Sequence, residues 1–282
     1  IPSNARLAKP VHLVFLFTAS EEGQTAHIRN CILADDNTQG TIIESHLSLG
    51  QATTSTNIVT ETRIGAGANL EHIKFQDQSI NTIHLASLNS ELSNDAQYAF
   101  HSFVLGSRLS RNNLRMRLAK PRGECVLNGL YIMRAEQLAD HHMIVDHAAP
   151  HCDSHEYFNG ILDGQSRGVF HGRILVQPDA QKTDAKQTNK NLILSDNATA
   201  NTKPQLEIYA DDVKCTHGAT IGELDDDAIF YLRARGLDTK TARRMLMHGF
   251  AGEIVDRIQH HSIREELNQL IWNRLESEHH LD

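Results

Sequence analysis

Short stretches in which hydrophobic and polar residues alternate follow one another from Val11 to about Gly222. Gly, Asn, Asp and Ser separate these stretches, and patterns with a helical period are nearly absent from this part of the chain. Alternation with a period of two is typical of β-strands that bury one face. The pattern therefore predicts a mainly β domain over 11–222, preceded by an irregular tail over 1–10 that contains Pro2 and Pro10.

Turn-and-strand segments recur along this domain at nearly constant spacing. Segments that begin at Gly67, Asp95 and Arg122 are about 28 and 27 residues apart, and a related segment begins at Arg167. A β-solenoid has such a period because each coil buries little surface alone and packs against the next coil. The repeats predict a β-solenoid. A β-sandwich is the alternative, since the repeats share no strict consensus.

The pattern changes to a helical period after Gly222. The acidic residues at 225–227 can cap and begin a helix over Ala228–Arg235, and Gly236 stands where a left-handed C-cap belongs. This pattern predicts a C-terminal helical region over 223–282.

Two longer helices are predicted to follow. Asp238 or Thr239 can cap the first of them, which runs to about His261 and places its apolar residues at spacings of four, namely Ala242, Leu246, Phe250, Ile254 and Ile258. The second follows Ser262 and has an apolar stripe of Leu267, Leu270, Ile271 and Leu275. We expect the helical region to cap the last coil against edge-to-edge pairing, to dock a partner, or to do both.

Composition narrows the classes of function and compartment. The net charge is −8, and no basic face emerges that would bind nucleic acid. No apolar run approaches the roughly 18 residues that a membrane span needs. Four cysteines without a CxxC pair favour a reducing compartment such as the cytoplasm. The sequence begins with Ile1 rather than Met, so we expect it to be part of a longer chain. If a transit peptide preceded it, the compartment would be an organellar stroma.

A histidine-rich stretch is the first candidate for chemistry. It contains His141, His142, His147, His151, Cys152 and His155. Imidazoles and thiolates bind zinc and iron, but this spacing does not match a compact zinc module. We therefore interpret most of these histidines as surface and turn residues.

Cys215 and His217 are the second candidate. They are two residues apart, so on an extended strand their side chains point to the same side and can reach one ion. Two ligands do not complete a tetrahedral site, so other ligands would have to come from elsewhere, including another chain. The alternative is a buried cysteine and a structural histidine at the end of the last coil.

Motifs of nucleophilic, nucleotide-binding and zinc-protease sites are missing from the sequence. A carbohydrate-active β-helix enzyme, a polysaccharide lyase or hydrolase, is the alternative from a different class. Its support is weak, because the acidic residues are dispersed and the only tryptophan, Trp272, falls in the predicted helical region.

The segment around Cys215 and His217 resembles a known family. The string Thr202–Gly222 resembles the signature of the SufB/SufD family, and in detail it is more similar to SufD than to SufB. Further matching strings are Val169–Gly172, Lys182–Ala185, Asn191–Ser195 and Phe230–Gly236. Within the histidine-rich stretch only His147 and Cys152 match family positions.

The resemblance implies a right-handed parallel β-helix flanked by helical regions. It implies a non-catalytic scaffold subunit of a SufBCD-type complex that builds iron–sulfur clusters. A SufB-like paralogue would pair through the β-helix, with a homodimer as the alternative when the paralogue is missing. His217 and the nearby Cys215 would help to hold a transient cluster that is shared with the paralogue, and no permanently bound cofactor is expected.

The C-terminal helices would bind a SufC-like ABC-type ATPase, which would hydrolyse the ATP. Phe230, Tyr231, Arg235 and Gly236 are the candidate contacts. Family members usually carry a helical region before the β-helix, and this sequence departs from them there. We expect that region in the longer chain.

Overall fold

The computed structural model of the protein describes residues 1–18 and 21–276. Fifteen strands precede three helices in this part of the chain. The strands are β1 (Val11–Phe17), β2 (Gln24–Ala34), β3 (Gln39–Ser48), β4 (Thr54–Ile64), β5 (Asn69–Asp77), β6 (Thr82–Leu92), β7 (Gln97–Val104), β8 (Leu109–Leu118), β9 (Glu124–Met133), β10 (Leu138–His147), β11 (Asp153–Leu162), β12 (Arg167–Val176), β13 (Asp184–Ile193), β14 (Thr199–Ile208) and β15 (Lys214–Gly222). The helices are α1 (Asp226–Ala234), α2 (Thr239–Val255) and α3 (His261–Glu276).

Consecutive strands alternate between two sheets, so the chain winds as a β-helix. The odd-numbered strands form an eight-stranded sheet and the even-numbered strands a seven-stranded sheet, each in chain order. Asn69 pairs with Gln97 and Gln97 with Glu124, both in parallel register. The paired residues are 28 and 27 positions apart, as are the repeats in the sequence. The predicted parallel β-helix with C-terminal helices is confirmed. The β-sandwich alternative is wrong, because antiparallel hairpins would replace these coil-to-coil pairings in a sandwich.

Two glycines within the strands make room for aromatic rings inside the coils. A Cβ on Gly129 would lie 2.1 Å from the ring of Phe158, its partner on the next coil. A Cβ on Gly160 would lie 2.2 Å from the ring of Tyr131. The Asn-Gly pairs at 128–129 and 159–160 therefore serve interior packing, although such pairs more often form turns.

The predicted caps begin two of the helices. The side chain of Asp225 accepts a hydrogen bond from the Asp227 N–H, and α1 begins two residues earlier than predicted. Asp238 caps α2 in the same way. The second helix ends at Val255 rather than near His261. A turn at 256–257 separates α2 from α3, and α3 packs against α2.

The helices α2 and α3 pack against the outer face of the odd-numbered sheet. Apolar residues of that face meet the buried faces of α2 and α3 in one cluster that includes Phe103, Leu130, Met247, Ile254 and Ile271. Because α2 faces both the sheet and α3, its most buried positions are shifted from the predicted stripe. Met247 and Ala251 are fully buried, whereas Leu246 and Phe250 are only partly so.

The expectation that the helical region caps the last coil is wrong. α2 contacts β9 and β11, on the side of the β-helix, and most of β14 and β15 is exposed or partly exposed. Lateral packing is favoured because the odd sheet presents apolar residues on its outer face as well as on its inner face. The predicted helical region reaches residue 282, and 277–282 lie outside the described residues. No described helix is long and apolar enough to cross a membrane.

Candidate functional site

Cys215 and His217 lie on the last strand of the β-helix. β15 pairs with β13 and forms one end of the odd-numbered sheet. Ala185 and Gln187 are the register partners of Cys215 and His217, and both partners are buried inside the preceding coil. The two candidate residues therefore occupy interior-facing positions of a coil on which no further coil is stacked among the described residues.

Their environments differ in ways that matter for binding a metal. His217 is exposed and has no hydrogen-bond partner among the described residues. Cys215 is half-buried and packs with the small apolar cluster around Ala185. Burial and the nearby Asp184 carboxylate raise the pKa of the Cys215 thiol, so the ligating thiolate is disfavoured. His217 is the more available donor of the two.

One chain alone does not complete a metal site here. Within residues 1–18 and 21–276, no group of three or more His, Cys, Asp or Glu side chains could hold a metal ion. An imidazole with one neighbouring thiol offers two ligands, whereas clusters and tetrahedral ions take four. A site at His217 would need ligands from a second molecule.

The last coil is an open edge that could receive such a molecule. β14 and β15 end their sheets, so one row of backbone groups on each strand lacks a neighbouring strand among the described residues. Apolar side chains stand exposed beside this edge, namely Ile208, Tyr209 and Ile221. An unprotected edge with exposed apolar residues is typical of a surface that pairs with another chain.

A second exposed patch lies on α1. The side chain of Phe230 is 72% exposed and that of Tyr231 56%, whereas the neighbouring Ile229 is buried. The Arg235 guanidinium stacks over the Tyr231 ring, 4.7 Å from its centre. Gly236 follows with a φ of +94°, the left-handed conformation that ends the helix. Exposed aromatics beside an arginine have the composition of protein-binding hot spots.

The histidine-rich stretch is divided between the interior and the surface. His141 is buried between the rings of Tyr131 and Phe158, and both of its ring nitrogens lack hydrogen-bond partners among the described residues. His147 is buried and bonded to Ser154, 2.8 Å away. Burial lowers the pKa of each histidine to about 3, so both are neutral.

The interpretation of this stretch as surface and turn residues is thus wrong for His141 and His147. Strand alternation turns every second residue inward, and the sequence does not say which set faces in. The interpretation holds for His151, which occupies an exposed turn with a φ of +60°. His142 and His155 are partly exposed on strands. Cys152 is buried, and its thiol donates to the Lys120 carbonyl.

A buried ionic network in the first coils was missed by sequence reasoning. Lys74 is fully buried and donates to Asn112, 2.6 Å away, and its ammonium lies 2.9 Å from the His84 ring. Glu44 lies beside it and within 3.3 Å of His72. Burial lowers the pKa of Lys74 to about 8 although Glu44 favours its charged form. The network fills the interior of the first coils with polar groups and lies several coils from β15.

Gln187 was also missed, although it lies directly beneath His217 in the ladder. The signal that could have found it is its spacing of 30 residues from His217, which is one coil.

The profile of the family described as "SUF system FeS cluster assembly, SufBD core domain" matches residues 15–250. The chain belongs to the SufBD family. This match and the similarity to SufD proteins confirm the resemblance seen in the string around His217.

Individual members of the SufBD family align with most of the chain. An iron–sulfur cluster assembly SufBD family protein of Synechocystis is 36% identical over 96% of this chain and 62% of its own length. The iron–sulfur cluster assembly protein SufD of Escherichia coli is 35% identical over 96% of this chain and 64% of its own length. The chloroplastic protein ABCI7 of Arabidopsis thaliana is 30% identical over 94% and 58%. The chain spans slightly less than two thirds of the length of these relatives.

Proposed function

We propose that this SufBD family member is a SufD-like scaffold subunit that works in the assembly and transfer of iron–sulfur clusters. Membership of the family supports this role, as do relatives whose names describe iron–sulfur cluster assembly. The observation that carries the proposal is an exposed His217 at the open end of the β-helix, in a site that one chain leaves incomplete. Family membership and the incomplete site at His217 favour a scaffold over a carbohydrate-active enzyme.

The last coil is the proposed interface with a SufB-like paralogue. Pairing along β14 or β15 would give their free backbone groups hydrogen-bond partners and would cover Ile208 and Ile221. A second copy of this chain could use the same edge when the paralogue is missing, because a twofold axis brings identical edges together. The paralogue is the proposed working partner.

His217 is the proposed ligand that this chain contributes to a transient cluster at that interface. An imidazole can replace a thiolate as a ligand of a cluster iron. The paralogue would supply the remaining ligands, and no cluster would stay permanently bound. Cys215 is proposed to assist, in a lesser role because its raised pKa keeps it as a thiol.

The exposed patch on α1 is the proposed dock for a SufC-like ABC-type ATPase. Phe230 and Tyr231 would bury apolar area in the partner, and Arg235 would pair with an acidic group there. Gly236 follows the C-cap of the helix in the left-handed conformation. ATP hydrolysis would belong to the partner, and this chain would be non-catalytic. The proposed compartment is the cytoplasm or an organellar stroma.

The experiment is co-expression of the full-length chain with a SufB-like and a SufC-like protein, with the mass of the complex measured by light scattering. The variant Ile221→Lys places a charge on the open edge, and Ile80→Lys is its matched control. The two isoleucines are 53% and 54% exposed, but Ile80 lies between β5 and β6, far from the last coil.

We expect the wild type and Ile80→Lys to form the complex and Ile221→Lys to lose the SufB-like subunit. Failure of the wild type to bind either partner would overturn the proposed function. Equal complex formation by both variants would overturn the proposed interface.

A further inference from the structure

The interior of the β-helix holds a polar column that ends at His217. Glu156 on β11 pairs in register with Gln187 on β13, and Gln187 pairs with His217 on β15. Neighbouring strands lie about 4.8 Å apart, so in-register side chains on the same face stack directly on one another. Glu156 and Gln187 are fully buried, and His217 is the exposed end of the column.

The amide of Gln187 is held from the coil beneath it. Its Nε2 donates to Oε2 of Glu156 at 2.7 Å. Burial raises the pKa of Glu156 to about 8, so the carboxyl is neutral at pH 7 and the column carries no buried charge there. Because Nε2 is bonded to Glu156, the acceptor Oε1 of Gln187 remains, and it is buried without a hydrogen-bond partner among the described residues.

On the opposite sheet, a glycine leaves the space that the Gln187 amide occupies. A Cβ on Gly172 of β12 would lie 2.1 Å from Nε2 of Gln187. Any side chain at position 172 would displace the amide from its bond with Glu156. Glu156 and Gly172 together define the position of the amide beneath His217.

We propose that Gln187 is the positioning residue of His217: its Oε1, unpaired in the structure, accepts a hydrogen bond from one ring N–H when the exposed imidazole turns inward over it, and the other nitrogen stays free for iron. The role in iron binding rests on the proposed function, whereas the hydrogen bond itself does not. Histidines that bind metals commonly donate their second ring N–H to an oxygen, which fixes the tautomer and the direction of the ligating nitrogen. Gln187 offers such an oxygen on the adjacent strand, in the same column.

The hydrogen bond is tested first in the isolated chain, where no iron is needed. We would measure the ratio of His217 tautomers by ¹⁵N NMR in the wild type and in Gln187→Leu. We expect the ratio to change roughly fivefold, the effect of one hydrogen bond of ordinary strength. The double variant Glu156→Leu/Gln187→Met removes both polar partners and leaves no carboxyl unpaired, so it reports even if Gln187→Leu does not fold.

A matched control separates this contact from general changes in the interior. Asn191 is another buried amide of β13, but it lies beneath Ile221 and accepts a hydrogen bond from Tyr131. Asn191→Leu should leave the His217 tautomer unchanged. An unchanged ratio in the Gln187 variants, or an equal change in Asn191→Leu, would overturn the proposal.

Iron binding is measured second, in the complex with both partners. We expect the Gln187 variants to bind iron roughly 10- to 100-fold more weakly, as is typical when the oxygen that orients a ligand is removed. Weakened binding in His217→Ala but not in the Gln187 variants would overturn the positioning role alone. Unchanged binding in His217→Ala would overturn the proposed function, while the NMR result would still decide whether the hydrogen bond exists.

Discussion

Replacing Glu156 with glutamine should stabilise the fold in a pH-dependent way. The carboxyl lies inside the β-helix, where burial raises its pKa from the ordinary 4.5 to about 8. Glutamine has the same shape and no charge to bury. Its amide oxygen can still accept the hydrogen bond that Nε2 of Gln187 donates to Oε2 of Glu156. The substitution therefore removes the titrating group and leaves the packing unchanged.

The sign and size of the effect follow from the two pKa values. Because the folded pKa lies above the unfolded one, the contribution of Glu156 is fully present below pH 4.5 and is lost as the pH rises towards 8. Each pH unit within this window lowers the free energy of unfolding of the wild type by about 1.4 kcal/mol relative to the variant. The free energy of unfolding of Glu156→Gln relative to wild type should therefore be higher at pH 7 than below pH 4.5, by roughly 3 kcal/mol.

Urea unfolding of both proteins between pH 5 and pH 8, followed by circular dichroism, measures this difference. Other titrating groups are common to both proteins and cancel in the comparison. Glu136→Gln removes the same charge at an exposed site and should change stability by less than about 0.5 kcal/mol. A stability difference between Glu156→Gln and wild type that does not vary with pH would refute the reasoning.

Three further predictions concern the proposed dock, the interior and the helical region. The double variant Phe230→Ala/Tyr231→Ala should raise the Kd of the ATPase partner more than tenfold in calorimetric titration while the urea midpoint stays constant, and an unchanged Kd would contradict the dock. Gly129→Ala should cost at least about 1–3 kcal/mol in urea unfolding, because its Cβ would overlap the Phe158 ring; an unchanged midpoint would contradict this packing. Arg274→Met should speed hydrogen exchange of α3 before that of the strands, since Arg274 joins α3 to the β-helix by two hydrogen bonds; uniform exchange would contradict that role.

Much of the fold could be predicted because its determinants are local. Alternation with a period of two marked the strands, and the recurring turns gave the coil spacing that Asn69 and Gln97 confirm. Asp225 and Asp238 marked helix starts because a cap acts on the N–H groups of the next few residues. The side on which the helices pack was not predictable in this way. An amphipathic stripe shows that a face is buried but not which surface buries it.

The site was only partly accessible to sequence reasoning for a related reason. The positions of Cys215 and His217 followed from a family resemblance and from their spacing on one strand. The column beneath His217 depends on register between coils, and the coil spacing varies, from 26 residues between Ile83 and Leu109 to 32 between Arg167 and Thr199. A change of one residue in any coil would place a different residue than Gln187 beneath His217.

We propose above all that His217 holds iron at the interface between this chain and a SufB-like partner. The most direct measurement is the iron content of the complex after anaerobic isolation, for the wild type, His217→Ala and Thr216→Ala. Thr216 is the exposed neighbour of His217 on the opposite face of β15 and serves as the matched control. We predict that all three complexes form and that only His217→Ala loses its iron. Full iron content in an intact His217→Ala complex would contradict the account.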